Sequence, residues 1–142
     1  MITIKQKLTD EIKLHGESEY PSECCGMLIG KLLPGGNKTV EKLLPISNAR
    51  EEENRHNRFL ITSEEMMRGE LAARKHKLDI VGFYHSHPDH PAVPSDYDRE
   101  HAWPTYSYII VAVGEKKAGD FFSWELENDR SHFNAENLTI EG

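Results

Sequence analysis

Two histidines, a serine and an aspartate stand at His85, His87, Ser95 and Asp98 in the stretch GFYHSHPDHPAVPSDYD, residues 82–98, directly after an apolar run. Residues i and i+2 of a strand point to one face, so a strand here would project His85 and His87 together. Imidazole is a good zinc ligand, and two on one face can reach a single ion at roughly 2.1 Å. Asp98, eleven residues beyond His87, falls on the first turn of a short helix that a tight loop can bring back over the strand end. Two histidines, one aspartate and a position left to water make the pattern of a catalytic zinc, because structural zinc usually has four protein ligands. One Zn²⁺ held in this way lowers the pKa of its bound, catalytic water to about 7 and polarises a scissile carbonyl.

Hydrolysis also needs a proton shuttle. Glu23, in PSECCGMLIG, is the candidate, at the start of a strand that can lie beside the histidine strand and pass the water's proton to the leaving amine. The Ser95 hydroxyl can donate to the oxyanion of a tetrahedral intermediate, a contribution of about 3 kcal/mol in other hydrolases. Ser95 and Asp98 are also spaced as a helix capping box, and the two readings agree, since capping would hold Asp98 still for the metal.

These side chains need elements to carry them. Ile4, Leu8 and Ile12 recur every four residues among charges and predict a first amphipathic helix ending near Gly16. CCGMLIGKLL and TVEKLLPIS, joined by PGGN, predict a hairpin. NAREEENRH is a charged run, read as a solvated loop or a flap over substrate. RFLIT is a short strand leading into a helix capped by Thr62 with Glu65, whose core residues are expected to be Met66, Met67, Leu71 and Leu78. DIVGFYHSH carries apolar residues on both faces, the pattern of an interior strand, and Pro88 ends it. Ser95 caps a short helix running to Trp103, before Pro104. YSYIIVAVG and DFFSWELEN are strands across a Lys/Gly turn, the second burying Phe122, Trp124 and Leu126, and ENLTIE is a last edge strand. The order predicts an α/β, more strictly α+β, fold: a mixed, largely antiparallel sheet packed between helices.

Glu23, His85-Ser86-His87-Pro88, seven residues to Ser95, two more to Asp98, together with the PSECCG neighbourhood of Glu23, closely resemble the JAMM, or MPN-plus, metalloprotease family. The resemblance spans almost the whole chain and covers all five functional positions. It implies an MPN domain with a curved sheet related to that of cytidine deaminases, and zinc-dependent peptidase or isopeptidase activity. Short free-standing prokaryotic relatives cut after the C-terminal Gly-Gly of ubiquitin-like or sulfur-carrier proteins, which implies such a protein as substrate here. A non-catalytic MPN scaffold that binds other proteins is the alternative, and the intact ligand set argues against it. A nucleoside deaminase would need His-x-Glu with Pro-Cys-x-x-Cys, and neither is present.

Composition agrees. A chain of 142 residues fits one domain, taken as 1–142, and a net charge of −7 lacks the basic footprint of a nucleic-acid binder. MITIKQKLTD has no apolar core of signal-peptide length, and the longest apolar run, Tyr108 to Val113, is too short to span a bilayer, so cytoplasm is the expected location. Cys24 and Cys25, as sequence neighbours, cannot readily pair; they read as core residues of a protein in a reducing compartment, with a thiol sensor as the rival. His101 is read as solvent-facing, with an outer-shell role as the alternative, and His90 as solvated. Nothing in the sequence sets an oligomeric state.

Overall fold

Apolar patterns of period two and of period 3.6 alternate along the chain, and the elements follow them: Ile2–Lys5 (β1), Gln6–Glu19 (α1), Cys25–Leu32 (β2), Lys38–Ile46 (β3), Ser63–Lys75 (α2), Asp79–Pro88 (β4), Asp96–His101 (α3), Ser107–Gly114 (β5), Lys117–Leu126 (β6), Phe133–Glu136 (β7) and Leu138–Glu141 (β8). The structure, a computed structural model, describes residues 1–46 and 61–142. The charged run and most of RFLIT lie outside the described residues.

The strands form one mixed sheet in the order β7-β6-β5-β4-β2-β3-β1-β8. Among the described residues β2 with β3 and β4, and β6 with β5 and β7, pair antiparallel, while β4–β5, β1–β3 and β1–β8 are parallel. Only Asn137 separates β7 from β8, yet these strands occupy opposite edges of the sheet. The sheet must therefore curl until its edges almost meet, an extreme of the ordinary right-handed twist. The Met1 ammonium lies 3.7 Å from Glu136 Oε2 across that seam. Lys38 of β3 reaches over the curve to Ser107 Oγ at 2.8 Å and Glu125 Oε2 at 3.1 Å.

β4 lies in the middle of this sheet with a core on each face. A bulge opposite the Leu28/Ile29 step leaves Val81 unpaired and turns it toward the opposite face from Ile80 and Phe83. Val81 and Tyr84 pack with Leu8 and Ile12 of α1 and with Ile109, Val111 and Val113 of β5. Ile80 and Phe83 pack with Cys25, Met27, Tyr108 and Leu126, and with Met66 from α2. From Phe83 onward the alternation is regular, so His85 and His87 inherit the second face.

Several boundaries differ from the sequence reading. Ile4 belongs to β1, a strand that the four-residue spacing disguised as helix, and α1 continues past Gly16 to Glu19. A Cβ on Gly16 would sit 3.1 Å from Val113 Cγ2, so this glycine serves close packing of α1 on the sheet and not a helix end. The Thr62–Glu65 capping box is present in α2, but Met67 and Leu71 are 64% and 56% exposed. The helix buries Gly69 and Ala73 instead, with Met66 half-buried, because small residues let its axis come down onto Met27 and Ile80. Phe122 is exposed while Leu126 is buried. α3 ends at His101, short of Trp103. The C-terminal segment makes two strands on two edges in place of one.

Candidate metal centre

Strand pleating and one capping box build the site. Alternation along β4 sends His85 and His87 to the same side, and the loop after Pro88 returns the chain so that α3 begins above them. Ser95 is the N-cap: its Oγ accepts the Asp98 N–H at 3.1 Å, and its own N–H donates to Asp98 Oδ2 at 2.9 Å. That reciprocal pair turns the Asp98 carboxylate inward. Asp98 Oδ1 lies 3.3 Å from His85 Nε2 and Oδ2 lies 3.1 Å from His87 Nε2, while the two Nε2 atoms are 3.1 Å apart. All three residues are buried, and their ligand atoms lie within 4.8 Å of one another.

The donor set fits a divalent cation on two grounds. Ligands at about 2.1 Å in a tetrahedron stand about 3.4 Å from one another, close to the 3.1–3.3 Å found here. The hydrogen-bond pattern also suits a positive charge between them. His87 Nδ1 is 2.8 Å from Pro91 O, a carbonyl that can only accept, so Nδ1 carries the proton and a neutral His87 turns the lone pair of Nε2 toward the carboxylate. Acceptor then faces acceptor, an arrangement that a cation relieves. Burial holds His85 below its usual pKa against the opposing pull of Asp98, which favours the neutral ligand form. Burial alone would raise Asp98, but His85, His87 and the Ser95 N–H outweigh it and keep the carboxyl well below the usual range.

Glu23 precedes β2. Cys25 pairs with His85, and just before it the Ser86 N–H reaches Cys24 O at 3.2 Å, so Glu23 stands one residue before the last backbone contact with the histidine strand. Its side chain is only 4% exposed. Ser95 is exposed. Accepting the Asp98 N–H occupies a lone pair of its hydroxyl and leaves the hydroxyl proton to donate. Alongside His85 and Asp98 opens a cavity of about 180 Å³ with mostly apolar walls, including Phe83, Tyr108 and Phe133.

The other sequence candidates separate cleanly. Cys24 and Cys25 are buried free thiols; burial pushes Cys24 up to about 12 and Cys25 higher still, which leaves neither as a thiolate ligand or nucleophile. His90 is exposed. His101 is exposed too, yet it stacks on Tyr97 at 4.1 Å and lines the cavity. Two aromatic residues to which the sequence reading gave no role at the site fix the loop between the ligands. The Tyr20 hydroxyl donates to the Asp89 carboxylate at 2.8 Å, and Trp124 Nε1 donates to Ala92 O at 3.1 Å. Their only sequence signal is an aromatic ring with a polar tip, which many surface residues share.

Comparison with known proteins gives consistent relatives. The profile described as prokaryotic homologs of the JAB domain matches residues 5–127. The chain is 40% identical over 93 residues to a desampylase of Haloferax volcanii, a match that covers 65% of this chain and 63% of that protein, so the chain spans less than two thirds of that relative's length. It is 26% identical over 127 residues to the CysO-cysteine peptidase of Mycobacterium tuberculosis, covering 89% of this chain and 83% of that one. A solution structure from Salinibacter ruber, 37% identical, covers 97% of this chain and 90% of its own with a TM-score of 0.76.

Proposed function

The chain belongs to the family of prokaryotic JAB-domain homologues, and from that membership we propose that it is a zinc-dependent peptidase or isopeptidase. The bond cut would be the amide that follows the C-terminal Gly-Gly of a ubiquitin-like or sulfur-carrier protein. The observation that carries this reading is the convergence of three buried ligand atoms, two imidazole nitrogens and a carboxylate, at 3.1–3.3 Å. The names of the two relatives, a desampylase and a peptidase, support the hydrolytic reading.

His85, His87 and Asp98 would hold one zinc ion, which supplies Lewis acidity toward the scissile carbonyl and lowers the pKa of water at an open fourth position. Glu23 takes a proton from the attacking water and delivers it to the leaving nitrogen, work that contributes about 10²–10⁴ in rate. The Ser95 hydroxyl donates to the oxygen that gains charge as the carbonyl becomes tetrahedral. His87 keeps its proton on Nδ1 through Pro91 O, and so keeps Nε2 aimed at the centre. The cavity beside His85 receives the extended tail, whose glycines pass where bulkier residues would not. Two buried free thiols suit the reducing cytoplasm proposed as its location. No helix among the described residues is long and apolar enough to cross a membrane.

The test is cleavage of a carrier that ends in Gly-Gly and is extended by a few residues, read by mass spectrometry. We expect one cut after the second glycine, abolished by a chelator and restored by zinc. Glu23→Gln should keep its zinc and lose about 10²–10⁴ in turnover. Cleavage indifferent to chelation, or a fully active Glu23→Gln, overturns the proposal.

A further inference from the structure

We propose that Arg130, in the turn between β6 and β7, is a positioning residue for the metal centre that acts through the helix carrying Asp98. α3 has six residues, far fewer than a helix needs to persist without tertiary support. Its first turn is held by the Ser95–Asp98 box. Its last carbonyls have no partner within the helix, as at any helix end. The Arg130 guanidinium meets them. Nη1 donates to Ala102 O at 2.6 Å, and Nη2 donates to Glu100 O at 3.2 Å and Arg99 O at 3.3 Å. Arg99 Nη1 returns a bond to Arg130 O at 3.4 Å. Just beyond, the Tyr108 hydroxyl accepts the Trp103 N–H at 2.8 Å.

The geometry suits this residue type. A guanidinium is a rigid fork with five donors, able to meet several carbonyls at once, whereas a lysine ammonium is a compact point charge on a flexible stem. Its charge also offsets the negative end of the helix dipole. Arg130 adopts a φ of +65°, a left-handed conformation that a non-glycine residue holds only where its surroundings fix it, and its own N–H is tied to Glu127 O at 2.8 Å.

The consequence for the centre follows from where Asp98 sits. Asp98 precedes the carbonyls that Arg130 holds, those of Arg99, Glu100 and Ala102, by one, two and four residues. A helix pinned at its cap alone can tilt about that cap, and the tilt moves the Asp98 oxygens relative to His85 and His87 on the rigid strand. Ligand sets tolerate displacements of only about 0.5 Å. The same tilt would carry Tyr97, His101 and Ala102, which wall the cavity. Arg130 thus sets metal affinity and cavity shape while touching neither ion nor substrate.

The inference rests on the reading of His85, His87 and Asp98 as ligands, and its test reads metal binding independently of turnover. Zinc affinity by chelator competition, and the absorption spectrum of the cobalt-substituted protein, are compared for the wild type, Arg130→Ala and Arg130→Lys. Val40→Ala is the control, lowering stability from the core on the opposite face of the sheet. Arg130→Ala should bind zinc about tenfold more weakly, with an altered cobalt spectrum. Arg130→Lys should fall between, Val40→Ala should bind as the wild type does, and added guanidinium ion should restore part of the affinity that Arg130→Ala loses. If Arg130→Ala does not fold, Arg130→Lys against Val40→Ala decides. Wild-type affinity and spectrum in the arginine variants, or equal weakening in Val40→Ala at equal loss of stability, overturn the inference. A wild type that binds no metal overturns the ligand assignment itself, and the inference with it.

Discussion

Ser95 carries two roles that one substitution series can separate. As N-cap it accepts the Asp98 N–H at 3.1 Å and so holds the helix that supplies the third ligand. As a donor its remaining proton would stabilise the charge that develops on the carbonyl oxygen. Loss of a serine cap to alanine costs about 1 kcal/mol, but to glycine only a few tenths. Loss of one oxyanion donor costs about 2.7–4 kcal/mol, or about 10²–10³ in kcat. Ser95→Gly should therefore keep zinc affinity within about twofold of the wild type while kcat falls about 10²–10³-fold. Ser95→Ala should add about a fivefold loss of zinc affinity from the missing cap, and Ser95→Thr should keep both functions. The assay is single-turnover cleavage of the extended carrier with zinc saturating, beside chelator competition on the same preparations. A Ser95→Gly enzyme with wild-type kcat would remove the donor role. A kcat loss that simply tracks zinc affinity across the series would reduce Ser95 to a cap.

Two further outcomes follow from burial. Burial raises Cys24 from its ordinary value of 9.0 to about 12, so at pH 8 it holds about 1000-fold less thiolate than a free thiol, which alone is the reactive form. Thiolate rises with pH, so alkylation should stay negligible from pH 6 to pH 9 and become fast only on unfolding; rapid native-state labelling, read by mass spectrometry, would revive the sensor reading. On α2, Met67→Lys and Leu71→Lys should change stability by no more than about 0.5 kcal/mol, as exposed positions do. Gly69→Leu should cost about 1–3 kcal/mol, because any side chain there meets the Met27 sulfur; thermal unfolding that shows equal losses would refute this account of the helix face.

The sequence carried the centre further than it carried the frame. His85, His87, Ser95 and Asp98 lie within fourteen residues, and local rules govern that span: strand pleating sets the two histidines, and a capping box sets the aspartate. Local signals of this kind survive in a single sequence. The pairing of the strand after Glu23 with the histidine strand was legible only as a possibility of adjacency, since register is decided between segments sixty residues apart. On α2 the apolar residues were visible but their side was not. Large side chains attract the eye, yet the buried side is the one whose small residues permit close approach, and only the partner surface of Met27 and Ile80 reveals which that is.

The same distinction explains why β1 escaped notice and why the two final strands were read as one. A four-residue strand has no periodicity of its own to read, and Ile4 satisfies the helical spacing of the segment that follows it. The strand character of β1 comes from the curl of the sheet, which brings β8 and β3 to either side of it and gives its backbone groups partners on both flanks. That curl is also what makes the centre possible. The sheet carries His85 and His87 at its middle, while the turn that follows β6 folds back to meet the end of α3, so Asp98 is held from one side by the loop that leaves β4 and from the other by the curved sheet itself. A flat sheet with the same motif would present two histidines to solvent and leave the aspartate helix without a floor. The metal motif therefore specifies which atoms can meet, and the closure of the sheet, written in residues far from the motif, specifies that they do.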